Sequence, residues 1–188
     1  MIGAKILYIA EDFNYVLENG IGFGGFSFFG IMFSVPLLTW ILSKCMKKSY
    51  GKLMDFASVG ILFELAFYRI GCTCAGCCRG LPSSFGMVYP NGETLFPVQP
   101  IEASLDIILA VVLIVLFLKK KLRNGEQYLL YMSGYGAIRF ILEFLRERDF
   151  MIGVFSLSHV WAALAFSIGV LLLICSRGKN KCKKDNSI

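Results

Sequence analysis

The sequence predicts an all-α integral membrane protein with about five transmembrane helices. Hydrophobic residues make up 56% of the 188 residues and charged residues only 17%, whereas about 25% of residues are charged in a typical soluble domain. Five apolar stretches approach the roughly 20 residues that a helix needs to cross a bilayer. These stretches are residues 26–42, 53–68, 101–118, 128–145 and 154–175.

The positions of the basic residues predict the orientation in the membrane. Most of the 19 lysines and arginines lie in three patches that follow the first, third and fifth stretches, at residues 44–52, 119–123 and 177–184. Cytoplasmic loops are enriched in lysine and arginine. We therefore expect the N-terminus outside and the C-terminus in the cytoplasm. We also expect the protein, with its net charge of +6, to interact with membrane lipids and not with nucleic acid.

The chain is predicted to form a single membrane domain over residues 1–188. Residues 1–19 are expected to be an interfacial helix or a partial span. They do not resemble a signal peptide, because the apolar segment at residues 1–10 is too short and Glu11 and Asp12 follow it directly. Residues 20–176 form the predicted five-helix core, and residues 177–188 form a basic cytoplasmic tail. Pro36 is expected to kink the first span, and the prolines of residues 81–100 predict turns rather than a helix.

Two arginines in apolar surroundings are the main candidates for function. Arg69 ends the second stretch, and it is either an interfacial residue that reaches the headgroups or a charge kept at membrane depth for function. Arg139 lies within the fourth stretch, and Glu143 lies one helical turn further on, so the two can form an ion pair. Two guanidinium groups on separate helices predict a clamp for a phosphate. In a bilayer, that phosphate belongs to a phospholipid headgroup.

Two carboxylates accompany these arginines. Glu64 lies about one turn before Arg69, and the favoured interpretation is that it is the counter-ion of Arg69. Glu102 opens the third stretch, and two interpretations stay open for it. It is either a carboxylate that stabilises the N-terminal end of a helix or a site residue that faces the same region as the arginines.

The cysteines and the single histidine leave several interpretations open. Cys72, Cys74, Cys77 and Cys78 follow one another closely, which suits disulfides, a redox pair or small residues that allow close backbone approach. We favour the small-residue interpretation, and we expect no metal because the spacing is tighter than that of an ordinary tetrahedral site. His159 is expected to be a hydrogen-bonded interfacial residue rather than a base.

Five motifs, in order, resemble those of the prolipoprotein diacylglyceryl transferase family. GGFSFFG at residues 24–30 resembles GG-x-SFHG, and RIGCTCAGCCRG at residues 69–80 resembles R-x-G-N/C-x3-G-x3-G. FPVQPIE at residues 96–102 is similar to HP-S/T-QLYE, and YGAIRFILEFLR at residues 135–146 is similar to YG-x2-R-x3-EF-x-R. SLSH at residues 156–159 stands where the family has SMGQ.

The resemblance implies a multi-pass enzyme of the bacterial plasma membrane that needs no cofactor. The family transfers diacylglyceryl from phosphatidylglycerol to the thiol of a lipobox cysteine in a prolipoprotein. Arg69 and Arg139 would hold the lipid phosphate, Glu143 would orient Arg139, and Glu102 would complete the catalytic set. The implied substrate-binding residues are Gly25, Ser27, Cys72, Gly76, Gly80, Gln99, Tyr135, Arg146 and His159.

The chain departs from the family pattern in ways that keep alternatives open. Phe29 and Phe96 replace the two motif histidines, so the base would be Glu102, Glu64, His159 or water. Cys72 replaces the usual asparagine, and about two N-terminal spans are expected to be absent. The alternative functions are a membrane thiol oxidoreductase that uses the cluster from Cys72 to Cys78, and a non-catalytic phospholipid-binding paralogue.

Overall fold

The computed structural model describes residues 28–89, 92–147 and 156–185, which form five helices and a short hairpin. The helices are α1 (Phe28–Cys45), α2 (Tyr50–Ala75), α3 (Val98–Leu118), α4 (Glu126–Glu143) and α5 (Leu157–Asp185). The strands are β1 (Pro82–Val88) and β2 (Thr94–Leu95). Each of the five predicted apolar stretches overlaps one helix, so the helix positions predicted from the sequence are confirmed.

Two of the described helices are long and apolar enough to cross a membrane. They are Val98–Leu118 in α3 and Ser158–Gly178 in α5. The 26-residue α2 is long enough, but its charged residues, among them Asp55, Glu64 and Arg69, lower its hydropathy. The number of five spans and the orientation of the termini stay predictions.

The hairpin is the main difference from the predicted fold, because the sequence indicated only turns over residues 81–100. β1 pairs antiparallel with β2, with an irregularity in register between Pro82 and Met87. Gly86 lies so close to the carbonyl oxygen of Leu95 that a side chain would not fit there. A two-residue strand has no alternating pattern that a sequence could reveal.

The chain divides into two compact units, and the boundary falls inside α2 between Met54 and Asp55. The first unit contains α1, with Pro36 in its interior. The second unit contains the rest of α2, the hairpin and the three later helices. The predicted domain boundaries at residues 19 and 176 are not tested by this division and stay predictions.

The core of the second unit lies between α2, α3 and α4. Side chains at helical spacing on each of these helices meet in one buried cluster. Its members are Leu62, Leu65, Ala110, Leu113, Tyr131 and Tyr135. Because each helix contributes a buried stripe, the rotations of the helices about their own axes are set by this cluster.

The N-terminal end of α4 is held by polar groups from α2 and α5. The Asp55 carboxylate accepts hydrogen bonds from the backbone N–H groups of Gly125 (2.6 Å) and Tyr128 (3.0 Å), two of the donors that a helix start leaves unpaired. Glu126 accepts a hydrogen bond from Arg177 Nε at 3.3 Å. This end also carries the basic residues 119–123, and we call it the basic end.

Helices α4 and α5 approach each other closely at glycines. A side-chain carbon added at Gly136 would lie 2.8 Å from the backbone nitrogen of Phe166 and 2.9 Å from the carbonyl oxygen of Ala162. One added at Gly169 would lie 2.9 Å from the carbonyl oxygen of Leu129. Small residues at such contacts let membrane helices pack backbone against backbone.

Gly136→Ala is therefore expected to destabilise the protein. The added methyl group would overlap backbone atoms that cannot turn away, so we expect a loss of about 1–3 kcal/mol in the free energy of unfolding. Gly60→Ala in α2 is the matched control, because nothing lies within 4 Å of its added carbon, and alanine favours a helix by about 1 kcal/mol over glycine. Thermal unfolding in detergent measures both, and equal midpoints for the two variants would contradict the close packing at Gly136.

Candidate active site

Helix α2 ends in a tight turn just after Arg69. The backbone N–H of Cys77 donates to the carbonyl of Cys72, and that of Gly76 donates to the carbonyl of Thr73, both at 3.2 Å. Gly76 has a φ of +65°. This arrangement is a Schellman ending, which needs a left-handed residue at the position of Gly76. The predicted substrate-binding residue Gly76 thus has a backbone reason to be glycine.

The segment after this turn links α2 to the C-terminal end of α4. Gly80 forms an isolated antiparallel bridge with Arg146, and the Leu81 N–H donates to the carbonyl of Leu145 at 3.0 Å. A side-chain carbon at Gly80 would overlap the carbonyl oxygen of Phe96. Gly80, a second predicted substrate-binding residue, therefore lets three segments meet.

Arg69, Glu102 and Arg139 converge from three helices. Glu102 Oε2 lies 2.9 Å from Arg69 Nε and 3.3 Å from Arg139 Nη1, so one carboxylate bridges both guanidinium groups. The side chains of Arg69 and Glu102 are only 8% and 2% exposed. An arginine that merely reached headgroups would be more exposed, so the interfacial interpretation of Arg69 is wrong.

Glu143 extends this group on the other side of Arg139. Its Oε2 lies 2.9 Å from Arg139 Nη2, which is the ion pair expected from the i, i+4 spacing, and 3.9 Å from Arg146 Nη1. We call Arg69, Glu102, Arg139 and Glu143 the arginine cluster. It lies at the opposite end of the second unit from the basic end.

The arginine cluster contains more N–H donors than its carboxylates use. With Arg146, three guanidinium groups lie near the carboxylates of Glu102 and Glu143, and Asp106, one turn after Glu102, adds a third carboxylate. A guanidinium group has five N–H donors, and Arg69 Nε forms an ion pair with Glu102 Oε2 at 2.9 Å without hydrogen-bond geometry. Donors and positive charge that converge in a buried place are the features that hold a phosphate. Each neighbouring carboxylate also fixes the direction in which its arginine points.

The carboxylate partner of Arg69 differs from the one expected from the sequence. Glu64 was the favoured counter-ion, but Glu64 is exposed, and Arg69 is paired with Glu102 from α3. Glu102 is also the fifth residue of α3, and it is directed between the arginines. The interpretation of Glu102 as a site residue stays a prediction.

His159 is buried at the start of α5, with 1% of its surface exposed. Its Nδ1 accepts a hydrogen bond from the backbone N–H of Ser156 at 3.2 Å. In a capping box, the side chain of the third helical residue accepts a hydrogen bond from the backbone N–H of the capping residue. His159 and Ser156 form this half of a capping box. The expectation of a hydrogen-bonded residue is confirmed, and Ser156 joins it to the arginine cluster by donating to Glu143 Oε1 at 2.9 Å.

Gln99 and Tyr135 are buried, but each contacts the protein itself. Gln99 Nε2 donates to the carbonyl of Cys77 at 2.7 Å and to the hydroxyl of Tyr89 at 3.2 Å, and so holds the turn after α2 in place. Tyr135 lies one helical turn before Arg139, and its ring stacks on Tyr131 with centroids 6.1 Å apart. Their predicted roles in substrate binding stay predictions.

Asp106 is a buried polar residue that the sequence interpretation missed. It is 0% exposed and lies one turn after Glu102 on the buried face of α3. Neither carboxylate oxygen has a hydrogen-bond partner within the residues that the structure describes. A charged residue within an apolar 18-residue stretch was the signal that could have identified it.

Three of the four cysteines after Arg69 bring their sulfur atoms together. The sulfur atoms of Cys72, Cys77 and Cys78 all lie within 4.8 Å of one another, whereas Cys74 is exposed outside this group. Partial burial and the neighbouring thiols raise the pKa of Cys77 to about 11. The turn, which a linear spacing does not show, brings the three sulfurs together.

Two predicted site residues, Gly25 and Ser27, lie outside the described residues, as does most of the segment that resembles GG-x-SFHG. Phe29, which stands at the position of the first motif histidine, lies in the first turn of α1. Phe96, at the position of the second, precedes α3. The arginine cluster is therefore the part of the predicted site that the structure brings together.

Comparison with known proteins identifies the family. The family model described as prolipoprotein diacylglyceryl transferase matches residues 1–175. A phosphatidylglycerol–prolipoprotein diacylglyceryl transferase of Dehalococcoides mccartyi is 32% identical over 96% of this chain and 74% of its own length. A second such protein, transferase 2 of Clostridium perfringens, is 30% identical over 96% of this chain and 76% of its own length. The chain belongs to the prolipoprotein diacylglyceryl transferase family of membrane enzymes.

Proposed function

We propose that this protein transfers diacylglyceryl from phosphatidylglycerol to the thiol of a lipobox cysteine in a prolipoprotein. The observation that carries the proposal is the arginine cluster, in which two guanidinium groups from different helices meet around one buried carboxylate. The relatives in Dehalococcoides mccartyi and Clostridium perfringens carry this activity in their names. We place the reaction at the outer face of the bacterial plasma membrane, with five spans and a cytoplasmic C-terminus.

In this reaction a sulfur–carbon bond forms at the glyceryl carbon, and the bond from that carbon to the phosphate oxygen breaks. Glycerol-1-phosphate leaves with the electron pair of the broken bond. Arg69 and Arg139 bind the phosphate and stabilise the negative charge that grows on it in the transition state. Glu102 and Glu143 hold these guanidinium groups in position before the lipid arrives.

The thiol must lose its proton, because the thiolate is the nucleophile. Glu102 is engaged with two arginines, Glu64 is exposed, and Nδ1 of His159 accepts a hydrogen bond from Ser156. Asp106 lies one turn from Glu102 with two buried oxygens that lack hydrogen-bond partners among the described residues. On this basis, we assign to Asp106 the role of the base that accepts the proton of the lipobox thiol.

Asp106→Asn is expected to slow transfer while leaving the fold intact, because the amide has the same shape but cannot accept a proton from a thiol. A positioned base contributes about 10²–10⁴-fold to a rate. A free thiol ionises with a pKa of about 8.5, so the difference from the parent protein should shrink as the pH rises past that value. Rates measured from pH 6 to pH 10 test this, and a deficit that is constant with pH would exclude Asp106 as the base.

The function is tested with purified protein, phosphatidylglycerol labelled in both the acyl chains and the headgroup, and a lipobox peptide. We expect acyl label on the peptide and an equal amount of released glycerol-1-phosphate. A peptide with serine in place of the lipobox cysteine is the control and should acquire no label. Labelled lipid that binds but yields neither product would replace the proposal with a non-catalytic lipid-binding role.

The oxidoreductase alternative is tested with the transfer assay and with a second assay, the oxidation of a dithiol substrate by a quinone. A variant with serine at Cys72, Cys74, Cys77 and Cys78 removes every thiol that this alternative requires at the turn after α2. If the parent protein transfers two electrons from a dithiol substrate to a quinone, and this variant does not, the alternative is supported. Unchanged transfer by the variant would exclude a redox role for these cysteines in the transferase reaction.

A further inference from the structure

We propose that Cys72, Cys77 and Cys78 form a three-thiolate binding site for a thiophilic cation such as Zn²⁺. This site goes beyond the proposed transferase function, because the proposed transfer reaction uses no metal ion. Its basis is the position of the sulfur atoms, which all lie within 4.8 Å of one another.

The distances suit such a cation after a small adjustment. Zinc–sulfur bonds are about 2.3 Å long, and in a tetrahedral site the sulfur atoms are therefore about 3.8 Å apart. The sulfur atoms are at most 4.8 Å apart, which is about 1 Å more than this value. Small rotations of the cysteine side chains about χ1 would remove this difference. Three thiolates leave a fourth position for water or another ligand from the solvent side.

The backbone explains why these three sulfurs meet. In a Schellman ending, the residue that follows the left-handed glycine contacts the side chain at the start of the last turn, and here these residues are Cys77 and Cys72. Cys78 has a φ of +58°, which is uncommon for a residue other than glycine. The hydrogen bond from Gln99 to the carbonyl of Cys77 anchors the turn in this shape.

A metal–thiolate complex at this site has a defined charge balance. Binding of Zn²⁺ displaces three protons from the three thiols into the buffer, and the resulting complex carries one negative charge. Arg69 lies one helical turn before Cys72, and Arg79 follows Cys78 directly, with its Nε bonded to the carbonyl of Gly76 at 3.0 Å. These two guanidinium groups are the nearest positive charges along the chain, and the cation itself offsets the charge of the three thiolates.

Cys74 provides the matched control, because it lies in the same turn but outside the sulfur group and is exposed. The experiment uses the full chain, reduced and freed of metal in detergent, with Zn²⁺ added and bound metal measured by native mass spectrometry. Cd²⁺ is the second probe, because its bonds to thiolates give an ultraviolet charge-transfer absorption. We expect one ion per chain in the parent protein and in Cys74→Ser, and loss of that ion in Cys77→Ser.

Thermal unfolding separates loss of the site from loss of the fold. Zn²⁺ should raise the unfolding midpoint of the parent protein and of Cys74→Ser, because a ligand stabilises the state that binds it. Cys77→Ser and Cys78→Ser should keep the metal-free midpoint and lose the increase. Absence of bound Zn²⁺ and Cd²⁺ in the folded parent, or equal binding by Cys77→Ser, would overturn the proposal. Formation of a disulfide within the group under air, with no metal bound after reduction, would overturn it in favour of a redox pair.

Discussion

Glu102→Gln is expected to lower the free energy of unfolding by about 3–5 kcal/mol, the usual cost of removing one partner from a buried ion pair. The Glu102 carboxylate lies against Arg69 at 2.9 Å and against Arg139 at 3.3 Å. Glutamine has the same size but no charge. The buried guanidinium group of Arg69 and the partly buried one of Arg139 would then face each other without the anion between them. Chemical unfolding in detergent measures the loss.

A double replacement tests whether the loss comes from uncompensated charge. Arg69→Met combined with Glu102→Leu removes both charges and fills the space, and such replacements are often neutral or stabilising. We expect the double variant to regain most of the stability lost in Glu102→Gln. Arg177→Ala is the control for a pair with one exposed partner, because the Arg177 side chain is 61% exposed and that of Glu126 only 4%. The expected change is about 0–1 kcal/mol, since Glu126 keeps its hydrogen bond from the backbone N–H of Arg123. A change in Glu102→Gln no larger than in Arg177→Ala would contradict the bridging role of Glu102.

Arg139→Lys is expected to reduce transfer by about 10²–10³-fold, the effect of losing one donor that stabilises transition-state charge. Arg139 uses Nη1 for Glu102 and Nη2 for Glu143, so its two terminal nitrogens bridge two carboxylates. Lysine keeps the charge but has a single nitrogen, which cannot hold both carboxylates and a phosphate in a fixed arrangement. The measurement is kcat/KM with labelled phosphatidylglycerol and a lipobox peptide.

Arg177→Lys is the matched control for Arg139→Lys. It makes the same chemical change at the basic end, where Arg177 contacts Glu126, and we expect kcat/KM to stay within about twofold of the parent, as for a surface substitution. The unfolding midpoint of Arg139→Lys must stay close to that of the parent for the rate to report on chemistry. Full activity of Arg139→Lys would show that a point charge suffices and would refute a bridging guanidinium.

Much of the fold follows from local patterns in the sequence. The five apolar stretches predicted the five helices, because a continuous apolar run of this length is stable only as a buried or membrane-embedded helix. The ion pair between Arg139 and Glu143 was also predictable from a local property of the chain. Residues four apart on a helix share a face whatever surrounds the helix.

The features that the sequence did not predict depend on contacts between segments. Glu102 is paired with Arg69, which is 33 positions earlier in the chain, and nothing near Arg69 in the sequence distinguishes Glu102 from the nearer Glu64. The sulfur group formed by Cys72, Cys77 and Cys78 depends on a left-handed turn at Gly76. The hairpin depends on a two-residue strand.

The sequence by itself determined the positions of the helices and the family, and it singled out Arg69 and Arg139 as the candidate site residues. The length of an apolar stretch, the order of motifs and the spacing of residues on a helix are all local properties of the chain. Only the tertiary structure decided that Glu102 joins Arg69 to Arg139, that Glu64 does not, and that Asp106 lies buried beside them. The physical reason is that a helix fixes the angle between its own residues. The rotation and depth of one helix against another are set by the packing of all their side chains together.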